Sequence, residues 1–248
     1  MVTRKSREEI ARMRRAGRIV AETLALVENE LRPGVSTARL DEIAERHIRQ
    51  SGAVPSFIGY HGYPSTLCIS IDEEVVHGIP GNRVIREGQV VSIDVGAIVD
   101  GWHGDAARTF VVGDVDPAVL KLVETTRLAM MAGIEAAQPG NRIGDISAAV
   151  EDVAAPAGFG IVRQYVGHGI GTEMHQDPQV PNYRTGARGI RLDPGICLAI
   201  EPMLTLGAPE TETRSDGWTV VTRDGSLAAH FEHTIAVTDH GPEILTAI

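Results

Sequence analysis

Glu87–Asp94, EGQVVSID, and Pro194–Glu201, PGICLAIE, carry one pattern twice. Each passes a glycine turn, runs through strand-type apolar residues and closes on a carboxylate. The two acids lie 107 positions apart, and the surrounding text lines up at nearly the same offset: Pro33-Gly34 on Pro139-Gly140 and Gly52 on Gly158 at 106, His61-Gly62 on His168-Gly169 at 107. Identity is weak, but a shared order of elements at a near-constant offset marks an internal duplication. The expected fold class is α+β: two similar halves, roughly 1–113 and 114–248, related by a pseudo-two-fold and sharing one sheet system. No Pro-, Gly- or Ser-rich stretch separates them, so a single domain is expected over 1–248.

Within each half the periodicity changes in the same way. Ile10, Met13, Gly17, Val20, Leu24 and Val27 recur at helical spacing and predict a helix over 6–31, stopped by Pro33-Gly34. Ser36 or Thr37 caps a second helix running to Gly52. A Gly/Tyr/His-rich stretch follows, and QVVSIDVGAIVDG and AARTFVVGD then read as paired strands. The second half repeats this with helix-like PAVLKLVETTRLAMMAGIEA and IGDISAAVEDVAAPAG. After them come Gly/His-rich YVGHGIGTEMHQDPQV and three strand-like segments, GICLAIEPM, GWTVVTRDG and AAHFEHTIAVTD.

The bulk composition excludes several classes. Of 248 residues 43% are hydrophobic and 23% charged, as in ordinary globular proteins. A net charge of −10 argues against a general nucleic-acid or membrane-surface role. Two cysteines, Cys68 and Cys197, are too few for a disulfide framework or a Cys-rich zinc module. There is no signal-peptide pattern and no 18-residue apolar run, so a cytoplasmic address is expected. Arg4–Arg18 is the one basic segment, and a solvated helix face is its first reading.

Five residues end strand-like runs or sit in Gly-rich turns: Asp94, Asp105, His168, Glu201 and Glu232. Three of the acids lie in apolar text, VSIDVGA, LAIEPML and HFEHTIAV. A buried ionised carboxylate is costly unless paired or bound to a cation. The duplication sets Asp94 opposite Glu201. Four carboxylates and one imidazole suit two divalent ions of the Mn, Fe, Co or Zn type. Taken singly, each has an ordinary alternative, a turn, a cap or a loop histidine; the joint pattern points to metal.

The set DVGAIVDGWHGDAARTF, YVGHGIGTEMHQDPQVPNY, AIEPM and HFEHT resembles the type I methionine aminopeptidases of the pita-bread metallopeptidase family, M24, over nearly the whole chain. Tyr165–Tyr183 is the most specific piece. The resemblance implies a single catalytic domain with a curved antiparallel sheet covered by helices. It implies removal of the initiator methionine from nascent polypeptides when the second residue is small, by a water or hydroxide that two metals activate. Asp94 would chelate one ion and Asp105 bridge both; His168 and Glu201 would hold the second, and Glu232 would bridge again. Glu201 would also act as general base, His77 would meet the substrate amine and amide, and His175 would hydrogen-bond the scissile carbonyl. His61 is nominated by the repeat but not by the resemblance, so it is left outside the metal set with His103, His230 and His233.

The resemblance places the methionine pocket at Phe57, Tyr60, Tyr63, Cys68, Met174, Met203 and Trp218. Aromatic and sulfur atoms suit a thioether side chain. Two positions depart from the family pattern, Phe57 where smaller residues are common and Met174 where an aromatic is common. Prolidases and aminopeptidase P share the five ligands, but only about 30 residues precede Pro33-Gly34 here, and the text after Glu232 leans away from them. A non-enzymatic relative would have lost ligands. Only 32 residues separate His168 from Glu201 and 30 separate Glu201 from Glu232, which leaves no room for a type II insertion. A monomer is expected, with any ribosome contact made by the body of the protein, for instance through its basic first helix, and without specific nucleic-acid or membrane binding.

Overall fold

The structure, a computed structural model, describes residues 2–248. Two helices open the chain, α1 (Arg7–Glu30) and α2 (Thr37–Gln50). Ser6 caps α1 in a capping box: its hydroxyl accepts from Glu9 N, while its own N–H donates to Glu9 Oε2 at 2.7 Å. Ser36 caps α2 by accepting from Arg39 N. Next come β1 (Val54–Pro55), β2 (Leu67–Ile71), β3 (Glu74–Val76), β4 (Val90–Val99) and β5 (Trp102–Val111). The second half has α3 (Pro117–Ala136) and α4 (Ile143–Ala154), then β6 (Gly160–Ile161), β7 (Gly167–Gly169), β8 (Gln176–Val180), β9 (Cys197–Ile200) and β10 (Met203–Thr205). β11 (Thr211–Thr213), β12 (Val220–Thr222), β13 (Ala228–His230), β14 (His233–Thr238) and β15 (Gly241–Ile244) complete it.

All described strand pairs are antiparallel. In the first half β4 is central, flanked by β1 and β2 on one side and β5 on the other. In the second, β9 is central, between β7 and β14. Each half has its own core under its helix pair. Val20, Leu24, Leu40, Ile48 and Ile93 cluster in the first, and Ile134, Ile146, Leu198 and Ile235 in the second. Each half thus sets a pair of helices beside antiparallel strands.

The halves are stitched along the axis by β5 and the start of β14. Ala107 and Glu232 exchange both backbone hydrogen bonds, and the Thr234 hydroxyl accepts from Asp105 N and donates to Asp105 O. Asp105 and Glu232 thus belong to the seam itself.

Two differences from the sequence reading bear on the site. GICLAIEPM and AAHFEHTIAVTD were each expected as one strand, but both break. β9 stops at Ile200 and β10 starts at Met203; β13 stops at His230 and β14 starts at His233. The register is unbroken across the gap, with Ile200 opposite His233 and Met203 opposite His230. Glu201 and Glu232 therefore face each other where two paired strands pass together from one sheet to another. Pro202 explains the pinch, because it has no N–H to give to a ladder. The β4–β5 hairpin also begins earlier than AARTFVVGD suggested. Asp100 and Gly101 both have left-handed φ, 50° and 79°, which fits a two-residue Asp-Gly turn.

Candidate metal centre and substrate cavity

The hairpin register sets the first two acids. Asp94 lies opposite Ala107 and Asp105 opposite Gly96, so the two carboxylates are diagonal neighbours on one face. The ten residues between them are the path out along β4 and back along β5. His168 comes from β7, whose neighbour β9 delivers Glu201. Glu232 comes from the pinch opposite Glu201.

These five side chains meet. Asp105, His168 and Glu232 each offer a ligand atom, and the three atoms lie within 4.8 Å of one another. His168 Nε2 is 3.4 Å from Glu201 Oε1 and 4.0 Å from Glu232 Oε1. His168 Nδ1 is 3.0 Å from Gly169 O. A carbonyl can only accept, so the proton sits on Nδ1 and the Nε2 lone pair faces the acids. Asp94 Oδ1, Asp105 Oδ1 and Glu232 Oε1 are buried without a hydrogen-bond partner among the described residues. Unpartnered buried carboxylate oxygens beside a free imidazole lone pair are a donor set for a divalent cation of the Mn, Fe, Co or Zn type. The residues fit the group.

The electrostatics record the same crowding. Burial pushes Glu201 up to about 8 and Asp94 up to about 7, Asp94 against a lowering contribution from His230. Burial and the neighbouring carboxylates drive Asp105 and Glu232 well above the usual carboxylate range. Burial also depresses His168 to about 3, which keeps its imidazole neutral.

A cavity of about 1050 Å³ opens over the acids. All seven residues proposed for the methionine pocket line it, and six of them gather in one cluster. Phe57, Tyr63, Cys68 and Met174 form a buried cluster with Tyr60 and Trp218 against it. Tyr63 meets Phe57 edge-on at 6.5 Å and Trp218 at 5.0 Å, and its hydroxyl is held at 3.0 Å from Leu67 O and Gly78 O. Phe57 has room because Gly96 lies beneath it; a Cβ there would sit 2.9 Å from Phe57 Cε1. Met203 also lines the cavity, but packs with Val75, Val76 and Val162 rather than with the aromatic cluster. Ile79, unremarked in the sequence, packs onto the pocket cluster.

His77 and His175 both line the cavity. His77 follows β3 with φ of 61°, a left-handed conformation uncommon for a residue with a Cβ. Its ring meets Tyr165 at 5.7 Å and Trp218 at 6.4 Å, and burial lowers its pKa to about 4. His175 stands with its ring 4.2 Å from that of His168. Of the histidines left outside the metal set, His103 is tied to Ser56 and His233 to Thr246. His230 differs. It lines the cavity, its Nε2 is buried without a partner, and that atom lies 3.6 Å from Glu201 Oε2. Sequence reasoning missed it because a histidine inside a strand usually reads as core; its place two residues before Glu232, on the same strand path, was the signal.

The sequence profile of metallopeptidase family M24 matches residues 11–239. The chain belongs to that family. Among its relatives, the methionine aminopeptidase of Clostridium acetobutylicum is 51% identical over 247 residues, covering 99% of each chain. Methionine aminopeptidase 1 of Bacillus subtilis is 48% identical over the full length of both. The crystal structure of methionine aminopeptidase from Thermotoga maritima superposes with a TM-score of 0.98 at 43% identity, covering all of both chains. The prolidase of Pyrococcus furiosus shares the fold, with a TM-score of 0.80 at 23% identity, but this chain spans 65% of it. This M24 chain therefore has the pita-bread fold and is a hydrolase that uses divalent metal. No helix among its described residues is long and apolar enough to cross a membrane.

Proposed function

We propose that the protein removes the N-terminal methionine from newly made polypeptides whose second residue is small. One observation carries the reading: four carboxylates and a neutral imidazole, with unpartnered buried oxygens, converge in the lining of a cavity that also holds an aromatic and sulfur-lined pocket. Its relatives of matching length are methionine aminopeptidases.

We assign Asp94, Asp105, His168, Glu201 and Glu232 as the residues that would hold two divalent ions. Bound there, such ions supply Lewis acidity toward a peptide carbonyl and make water acidic enough to attack near neutral pH. The chain's own residues do the rest. Phe57, Tyr60, Tyr63, Cys68, Met174, Met203 and Trp218 hold the methionine side chain, and closing around it excludes solvent. His77 sits by the amino terminus and the scissile amide. Glu201 accepts the proton of the attacking water at a carboxylate oxygen and passes it to the leaving amine. His175 donates an N–H to the carbonyl oxygen as negative charge builds there. The substrates are nascent chains in the cytoplasm, met by a monomer.

Hydrolysis of Met-Ala-Ser, assayed metal-free and with Mn(II) or Co(II), tests this directly. The expected result is metal-dependent release of methionine, with Glu201→Gln slower by about 10²–10⁴-fold. Absence of turnover by folded, metal-loaded protein sinks the reading. Preferential cleavage of an Xaa-Pro peptide would move the chain to the prolidase side of the family.

A further inference from the structure

Tyr60 does more than line the pocket. It opens a tight turn over Tyr60–Gly62, where Gly59 has φ of 82° and His61 of 48°. The turn is closed by Gly59 N donating to Tyr63 O at 2.8 Å and Tyr63 N to Tyr60 O at 2.9 Å. From it the Tyr60 hydroxyl reaches His175 Nδ1 at 2.7 Å, at the short end of the hydrogen-bond range. The ring centroids are 5.3 Å apart. His175 is held on both sides in sequence. Met174 is buried in the pocket cluster, and the Gln176 side chain accepts from Lys5 Nζ at 3.2 Å and donates to Thr172 Oγ1.

A neutral imidazole carries one N–H. If the phenol donates to Nδ1, that proton is on Nε2. If Nδ1–H donates to the phenol, Nε2 is a bare lone pair and cannot stabilise a developing oxyanion. The Tyr60 hydroxyl has no other hydrogen-bond partner among the described residues, so Nδ1 is its one protein acceptor. Burial pushes the phenol above its usual pKa, so the O–H stays available.

We infer that Tyr60 is a positioning residue whose O–H donates to His175 Nδ1 and fixes the Nε2–H tautomer needed at the scissile carbonyl. The inference rests on His175 as the carbonyl donor proposed above. It splits the duties of one side chain: the ring serves methionine binding, the hydroxyl serves His175.

The test uses Zn(II)-loaded wild type, Tyr60→Phe and Tyr60→Leu, with His175→Gln to assign the His175 signals. Long-range ¹H–¹⁵N spectra of the imidazoles report the tautomer without substrate. Wild type should carry the His175 proton on Nε2, and Tyr60→Phe should show a mixture. With Met-Ala-Ser, Tyr60→Phe should lose about 3- to 10-fold in kcat with KM nearly unchanged, as for one lost neutral hydrogen bond. Tyr60→Leu should also raise KM. A wild-type proton on Nδ1 overturns the inference, as does Tyr60→Phe with an unchanged tautomer or an unchanged kcat. Failure of the wild type to cleave the peptide counts against the peptidase reading, whereas the spectra decide the Tyr60–His175 bond.

Discussion

Asp105 condenses the site into one side chain. Its backbone is fixed in the seam by Thr234, while its Oδ1 is buried and unpartnered beside Asp94. The backbone contact is structural and survives truncation; the carboxylate contributes repulsion when the site holds no cation. Asp105→Ala should therefore leave the metal-free protein as stable as wild type or slightly more so, while weakening divalent-metal binding and nearly abolishing activity. Melting with and without EDTA, with calorimetric metal titration, checks both halves. Loss of more than about 3 kcal/mol in the metal-free variant, the scale of a broken buried pair, would show that Asp105 is structurally partnered after all. At this scale the sequence was informative, because acids inside strand-type text are out of place and so draw notice. His230 was not legible in this way. Its meaning comes from the 3.6 Å approach to Glu201, which no spacing along the chain reveals.

Elements succeed or fail on close approach. α1 crosses β5 glycine to glycine: a Cβ on Gly104 would lie 2.6 Å from Gly17 N and 2.8 Å from its Cα. The opposing atoms are helix backbone and cannot swing aside. Gly104→Ala should cost about 1–3 kcal/mol, the usual toll of overpacking, and should displace its neighbour Asp105. Thermal and urea melts read the first effect and metal affinity the second; an unchanged melting temperature would mean that α1 rides freely over β5. The helices were readable because their apolar stripes and caps are local, and the Ser6/Glu9 capping box is spelled out in four residues. The strand breaks at Glu201-Pro202 and Phe231-Glu232 were harder. Around the second break every residue from Ala228 to Glu232 is buried, so no alternation between faces marks where one sheet hands over to the next.

The molecule as a whole is a charge device assembled from two halves. α1 shows its surface side: Arg14 pairs with Glu243, Arg15 with Asp100 and Arg18 with Glu22, so much of the basic segment is neutralised on the protein itself. Inside, the balance is unequal, because the fold brings four acids to the seam with only the imidazoles of His168 and His230 beside them. That has a signature in stability against pH. Asp94 rises from 3.8 to about 7 and Glu201 from 4.5 to about 8, so the folded, metal-free protein binds protons that the unfolded chain has released. Stability from these groups is full below the ordinary carboxylate pKa and is lost as pH rises through the folded values. His77, His103 and His233, each lowered from 6.5 to about 4, His168, lowered to about 3, and His175 and His230, which burial also lowers, work in the opposite direction, and their effect fades as pH rises past 6.5. Toward pH 8 the acids therefore dominate. One net proton across the window from pH 6.5 to 8 corresponds to about 2 kcal/mol, or roughly 4–8 °C in melting temperature for a domain of this size. Melts of EDTA-treated protein should fall by that order from pH 6.5 to 8. In saturating Mn(II) the slope should reverse, because metal binds the ionised carboxylates and the neutral imidazole, and its binding stabilises the folded state alone. A flat or rising melting temperature in EDTA would show that the acids are already compensated without metal, and the duplication would then have brought them together for some purpose other than holding a cation.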